Sequence, residues 1–150
     1  AAVWDCDAQR GRLASAGADF VLMPGQLDPC GLPCMIGQRY GALPLAFDAG
    51  AIHDYVAHLD PTANSGTGFL FKHFDANGFL WAIDQAMAFY SQPGDLRQSQ
   101  VQRIMTDSLA RFEAGEAARH TIGLYGRILD RSLIDLKALP GLPAPSQIAA

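Results

Sequence analysis

Three short apolar runs constrain the fold of this 150-residue chain more than any other feature. They cover residues 20–23, 42–47 and 68–71, and a loop of glycine, proline and small residues follows each of the first two. Runs this short and this apolar are typical of parallel strands that are covered on both faces. Because stretches with helical spacing separate them, the sequence predicts an α/β fold built on a parallel sheet. A ligand site is then expected at the carboxyl ends of the strands.

Helices are predicted between and after these strands. The first three cover residues 9–18, 34–40 and 53–58. Asp75 is the predicted N-cap of a fourth, and two more are predicted over residues 96–112 and 117–136, so the C-terminal half is helical. The spacing of apolar side chains in the fourth helix predicts a stripe that faces the core. Its members are Leu80, Ile83, Ala86, Met87 and Tyr90.

Composition and charge exclude several classes of function. A net charge of −4 provides no basic surface for nucleic acid or for anionic lipid. No apolar run approaches the roughly 20 residues of a membrane span, and the first residues lack the regions of a signal peptide. Three cysteines do not form a disulfide framework, so a cytoplasmic location is predicted. The chain opens without methionine, as if in the middle of a fold, which predicts that an N-terminal part is missing.

Several common kinds of site are not predicted. Cys30 and Cys34 lie four residues apart, but no cluster of Cys or His completes a tetrahedral set, so no metal is expected. The sequence has no nucleophile elbow, no dinucleotide-binding glycine motif and no Walker A motif. His53 and Asp54, at the start of a short helix, could contact a phosphate, although a capping or solvated role is favoured.

The loop after the first strand carries the residues that are best suited to bind a ligand. Asp28 lies between that strand and a helix, and Gly31 allows the backbone to approach a ligand closely. A helix N-terminus favours an anion such as a diphosphate, and a nearby carboxylate can accept hydrogen bonds from sugar hydroxyls. On these residues alone, a simpler interpretation stays open, in which Asp28 caps the helix and Gly31 makes the turn.

Three blocks of the sequence resemble glycogen and starch synthases. They are AGADFVLMPGQLDPCGLPCMIGQRYGALP, AGAIHDYV and GTGFLF, in the order and at about the spacing of that family. The resemblance implies a partial, Rossmann-like C-terminal domain of a GT-B glycosyltransferase over residues 1–139, followed by a Pro-rich flexible tail over residues 140–150. It implies an N-terminal domain of the same protein as a partner. It also implies transfer of glucose from ADP-glucose to an α-1,4-glucan with retention of configuration, and no cofactor besides the nucleotide sugar.

The resemblance assigns roles to eight residues. Asp28 stands where the family has a glutamate that hydrogen-bonds the donor glucose, and it is the predicted catalytic residue. The other seven are predicted to bind substrate, through a loop that lines the sugar and phosphate, a turn whose amides approach the distal phosphate, and an aromatic side chain that stacks on adenine. They are Cys30, Gly31 and Leu32 in the loop, Ala49, Gly50 and Ala51 in the turn, and Trp4, with Cys6 also near the aromatic position.

Several positions depart from the family pattern. Asp28 is one methylene shorter than glutamate, which draws its carboxylate back by about 1.5 Å, and a displacement near 1 Å can lower a rate on the order of 100-fold. Cys34 replaces a glutamine, Gly25-Gln26 replaces Ser-Arg, and Ala51 replaces a glycine whose φ, if positive, would strain alanine. In the family, the Arg and Lys that neutralise the diphosphate lie upstream of this segment. The chain alone is therefore predicted to be inactive.

Three interpretations remain open. The first is the donor-binding part of a retaining glucosyltransferase, with ADP or UDP as the carrier. The second is a degenerate, non-catalytic paralogue that binds glucan or nucleotide as a regulatory module. The third is an interaction scaffold. The first requires Asp28 and the amides near Gly50 to converge at one edge of the sheet.

Overall fold

A computed structural model describes residues 7–130 of the chain. Six α-helices and three β-strands alternate in the first part and give way to helices alone in the second. In chain order they are α1 (Ala8–Gly17), β1 (Phe20–Met23), α2 (Leu32–Tyr40), β2 (Leu43–Phe47), α3 (Ala51–Tyr55), β3 (Phe69–Phe71), α4 (Ala76–Tyr90), α5 (Gly94–Arg111) and α6 (Ala114–Ile128).

The three strands form one parallel sheet in the order β1-β2-β3. Met23, the last residue of β1, lies opposite Ala46, and Phe47, the last residue of β2, lies opposite Phe71. All three strands therefore end at the same edge of the sheet. The prediction of an α/β fold on a parallel sheet is confirmed.

Both faces of the sheet are covered by helices. On one face, Leu43 and Leu45 of β2 and Phe69 and Phe71 of β3 belong to a core cluster with side chains of α4 and α5, namely Ala82, Ala86, Phe89 and Ile104. On the other face, Ala46 and Leu70 pack with Cys34 of α2, Ile52 of α3 and Val56. This division follows from the alternation of side chains along a strand.

The expectation that β1 is fully buried was wrong. Leu22 is 52% exposed, and none of the four residues of β1 is fully buried. Within the described residues, β1 pairs with β2 alone and so forms one edge of the sheet. By contrast, β3 is buried throughout although it is also an edge strand, because α4 packs against it.

The predicted core stripe of α4 was right for Ile83 and Ala86, which pack in or against the core cluster, and wrong for its other three members. Ala82, Ala86 and Phe89 are the buried side chains of this helix. Leu80, Met87 and Tyr90 are exposed by 55%, 50% and 42%. Because α4 carries apolar residues on almost every side, periodicity alone could not select the face that the sheet covers.

Helices α2 and α3 begin earlier than predicted for the same reason. The residue directly before α2 is Gly31 with φ 64°, and the residue directly before α3 is Gly50 with φ 56°. A left-handed glycine ends the loop in a single residue, so helical geometry starts at the next position. The predicted N-cap of α4 is confirmed, since the Asp75 side chain accepts a hydrogen bond from the Gly78 amide.

The chain divides into two compact units, Ala1–Ser108 and Leu109–Ala150. In the second unit, α6 begins at Ala114 rather than at residue 117. Its predicted continuation to residue 136, the boundary at 139 and the tail lie outside the described residues. No helix between residues 7 and 130 combines the length and apolarity of a membrane span.

Candidate functional site

The loops that follow β1 and β2 meet beyond the carboxyl ends of these strands. A Cβ atom added to Gly50 would lie 2.9 Å from the backbone oxygen of Asp28. A Cβ atom added to Gly31 would lie 3.9 Å from the amide nitrogen of Ile52 and 3.4 Å from Cδ2 of Tyr55. Asp28 and Gly50, which the sequence predicted to converge, are therefore neighbours.

Asp28 organises the first of these loops. Its Oδ1 atom accepts a hydrogen bond from the amide of Cys30 at 3.0 Å and another, shorter one from the amide of Gly31. Gly31 is the N-cap residue of α2 and forms no side-chain capping bond. Asp28 is therefore not the N-cap of α2, as the simpler interpretation had it; its side chain instead stabilises the turn that leads to Gly31. Both hydrogen bonds are made to Oδ1, and Oδ2 takes part in neither. The Asp28 side chain as a whole is partly exposed.

Gly50 supplies the unusual backbone of the second loop. Its φ and ψ are 56° and −140°, a combination that a residue with a Cβ atom rarely adopts. Ala51 is the first residue of α3 and does not have a positive φ. The strain that was considered for Ala51 therefore does not arise, because the left-handed position is Gly50.

The remaining predicted residues differ in exposure. Cys30 and Leu32 are exposed, Leu32 by 53%, and Ala49 is half-buried. Cys34, where the family has a glutamine, is completely buried in the core. Burial, and to a lesser extent the nearby negative charge of Asp28, raises the pKa of the Cys34 thiol to about 11, so the thiol is neutral. Trp4 and Cys6 lie outside the described residues.

One polar pair near these loops was not predicted. His53 Nδ1 lies 2.7 Å from Asp48 Oδ1, so the partner of His53 is the residue that follows β2 rather than Asp54. This hydrogen bond and the negative charge of Asp48 raise the pKa of His53 above its usual value. Asp48 and His53 are five residues apart, on either side of Gly50 with its positive φ. Sequence patterns do not reveal this contact, because it depends on the path of the loop between the two residues.

A cavity of about 830 Å³ lies beside this pair. It is bordered by α3, the edge strand β3 and the first half of α4. Asp48 and His53 line it, but none of the predicted site residues from 28 to 32 or from 49 to 51 does. The sequence did not predict this cavity, because the residues that line it come from several segments between Asp48 and Trp81, and their spacing along the chain does not show that they surround one space. From residue 7 to residue 130, no group of three or more His, Cys, Asp or Glu side chains is arranged to hold a metal ion.

Comparison with known proteins gives consistent relatives. No family model matches the chain. A glycogen synthase of Thermotoga petrophila is 35% identical over 124 residues, which is 82% of this chain and 25% of that protein. A glycogen synthase of Anoxybacillus flavithermus is 46% identical over 77 residues, which is 51% of this chain and 16% of that protein.

A solved structure shares the fold as well. The catalytic domain of starch synthase IV from Arabidopsis thaliana, bound to ADP and acarbose, superposes with a TM-score of 0.73 at 29% identity. The similarity covers 85% of this chain and 26% of that one. The chain thus spans between 16% and 26% of the length of these relatives.

Proposed function

Because the chain belongs to the glycogen and starch synthase family and matches about a quarter of the length of its relatives, we propose that it is the donor-binding part of a retaining glucosyltransferase. The donor is ADP-glucose and the acceptor is an α-1,4-glucan. The protein works in the cytoplasm, and an N-terminal domain of the same protein completes the cleft.

A single observation carries this proposal, namely the contact between the loops after β1 and β2. The approach of Gly50 to the Asp28 carbonyl places the loop that carries this carboxylate against the turn that precedes α3. A nucleotide sugar needs this combination, because its hydroxyls donate to a carboxylate while its diphosphate accepts from backbone amides. The starch synthase structure with the same fold was solved with ADP bound.

The roles within the site follow from the bonds already made. Oδ1 of Asp28 is engaged by the amides of Cys30 and Gly31, and this fixes the orientation of the carboxylate. Oδ2 is the atom that we assign to a glucose hydroxyl. The amides around Gly50 and Ala51 hold the distal phosphate, and Leu32 and Cys30 line the sugar. Trp4 remains the candidate for stacking on adenine.

The described loops do not supply the charge that transfer requires. Stabilisation of the leaving diphosphate dominates catalysis in sites of this type, and it depends on cations near the phosphates. From Asp28 to Leu32 and from Ala49 to Ala51 there is no lysine or arginine. We therefore expect the chain by itself to bind a nucleotide sugar without transferring the glucose.

The test is a comparison of ligands and of variants in the 150-residue chain. ADP-glucose at 100 times its Kd should raise the free energy of unfolding by about 2.7 kcal/mol, and UDP-glucose should raise it less. Asp28→Asn should weaken ADP-glucose binding and leave ADP binding nearly unchanged, because only the sugar contacts Oδ2. Equal binding of ADP-glucose by the variant would remove Asp28 from the site.

A non-catalytic paralogue is the second candidate, and one observation favours it. Asp28 is proposed to contact the sugar, but its side chain is shorter than the family's glutamate. One of its two carboxylate oxygens, Oδ1, already accepts hydrogen bonds from the amides of its own loop. Joining the chain to the N-terminal domain of a relative and assaying glucose transfer separates the two candidates. Nucleotide binding without transfer in that hybrid, beside an active hybrid built from the relative's own segment, would favour the paralogue.

A further inference from the structure

The cavity beside β3 has the features of a second binding site. Its volume of about 830 Å³ falls within the range of about 300 to 1,000 Å³ that is typical of small-molecule sites. Its lining combines apolar side chains, among them Val56 and Leu70, with polar ones. The cavity lies wholly within the first compact unit of the chain.

Trp81 forms an aromatic platform at one wall of this cavity. The side chain is 48% exposed and lines the cavity. Its ring stacks on the ring of His58, with centroids 5.4 Å apart and planes 26° apart. The stacking leaves part of the indole surface open to the cavity.

His58 is itself held in place, so the platform is preorganised. Its Nδ1 atom accepts a hydrogen bond from the amide of Leu70 at 3.2 Å. An Nδ1 that accepts leaves the proton of the neutral ring on Nε2, which can donate to a ligand. A bond from the edge strand thus orients His58, and the stacking of His58 orients Trp81.

The polar border of the cavity provides donors and acceptors at the edge of this platform. Asn77 lies one helical turn before Trp81 on α4 and therefore on the same side of the helix. Lys72 and His73, which follow β3, also line the cavity. Two carboxylates at the border already have partners, because Asp48 bonds His53 and Asp75 caps α4.

We propose that this cavity binds a carbohydrate chain, with one pyranose ring stacked on Trp81, at a subsite separate from the donor loops. A pyranose ring has a flat face of C–H bonds and a rim of hydroxyl groups. The first matches the indole surface and the second matches Asn77, Lys72, His73 and Nε2 of His58. The carboxylates of Asp48 and Asp75 offset the charge of Lys72 and any charge on His53, so the cavity has no excess positive charge that would select an anion.

The chain contains two tryptophans, Trp4 and Trp81, so a fluorescence experiment can isolate the platform. In a Trp4→Phe background, Trp81 is the sole indole and reports on its own surroundings. Titration with maltohexaose should give a saturable change in emission. A second titration with cellohexaose shows which glycosidic linkage the subsite prefers, and saturation by either sugar supports the proposal.

Calorimetry with matched variants tests whether Trp81 supplies the affinity. Trp81→Ala should weaken binding of the oligosaccharide about tenfold or more, as expected for truncation of an aromatic anchor. Tyr125→Ala removes another exposed aromatic side chain, 53% exposed and on α6, and should leave the affinity unchanged. Circular dichroism checks that both variants keep their helices.

The two sites can fail separately. Trp81→Ala should leave ADP-glucose binding at the donor loops intact, and Asp28→Asn should leave oligosaccharide binding intact. Absence of any sugar-dependent change in Trp81 emission overturns the subsite, as does full affinity in Trp81→Ala. If adenosine saturates the signal and neither oligosaccharide does, the cavity belongs to an aromatic heterocycle and the carbohydrate assignment is wrong.

Discussion

At the scale of single residues, Asp28 combines a structural and a proposed binding role in the two oxygens of one carboxylate. Oδ1 accepts from two backbone amides, and a loss of these bonds is a loss of loop structure. Removing the side chain therefore changes two properties at once. An amide in its place keeps one oxygen that can accept from the backbone and removes the negative charge.

This division predicts different stabilities for two variants of Asp28. Asp28→Ala should lower the free energy of unfolding by about 1 to 3 kcal/mol, because it removes two hydrogen bonds that contribute about 0.5 to 1.5 kcal/mol each. Asp28→Asn should lower it by less, because Oδ1 of asparagine still accepts from Cys30 and Gly31. Urea unfolding followed by circular dichroism measures both. Identical midpoints for the wild type and both variants would contradict the bonds assigned to Oδ1.

His53 provides a prediction for the dependence on pH. Since the hydrogen bond to Asp48 raises its pKa in the folded state, protonation of His53 favours folding. This contribution is complete below the unfolded pKa of about 6.5 and disappears as the pH rises through the folded value. NMR titration of the imidazole should give a pKa above its ordinary value, and Asp48→Asn should bring it back. A pKa that does not respond to this substitution would show that Asp48 is not the cause.

At the scale of elements, the site depends on how closely α3 approaches the loop before α2. Gly50 allows this approach by its backbone angles and by its lack of a side chain. Gly50→Ala should destabilise the fold by about 1 to 3 kcal/mol, because alanine is strained at this φ and its Cβ would press on the Asp28 carbonyl. The same change should weaken nucleotide binding.

Gly25→Ala is the matched control for this prediction. Gly25 lies in the loop after β1, its φ is not positive, and an added Cβ would lie no closer than 4.0 Å to other atoms. Its unfolding midpoint and its nucleotide affinity should stay near those of the wild type. If Gly25→Ala and Gly50→Ala were equally stable, the close contact of the two loops would be excluded.

The elements also show how far the sequence could predict the fold and the site. Strand positions were predictable because Phe20–Met23 and the runs near Leu43–Phe47 and Phe69–Phe71 are short, apolar and bounded by turns. The proximity of Asp28 and Gly50 was predictable because both follow parallel strands. The phase of α4 was not, because Leu80, Trp81 and Met87 are as apolar as the residues that the sheet buries.

At the scale of the whole molecule, the edge of the sheet at β1 is the feature with the widest consequence. Within residues 7–130, β1 pairs on one side only, and its Leu22 is half exposed. Leu13 of α1 and Leu27 of the following loop are exposed by 66% and 74%. An apolar edge strand of this kind is a template for pairing with another strand.

We therefore expect the 150-residue chain to associate as its concentration rises, through the edge at β1. Leu22→Lys should reduce this association, because a charged side chain on an edge strand opposes pairing with a second copy. Leu80→Lys changes a leucine of similar exposure, 55%, on α4 and should leave the association unchanged. Sedimentation velocity over a range of concentrations compares the three proteins. A monomer at every concentration, or equal suppression by both lysines, would show that the edge of the sheet does not direct the association.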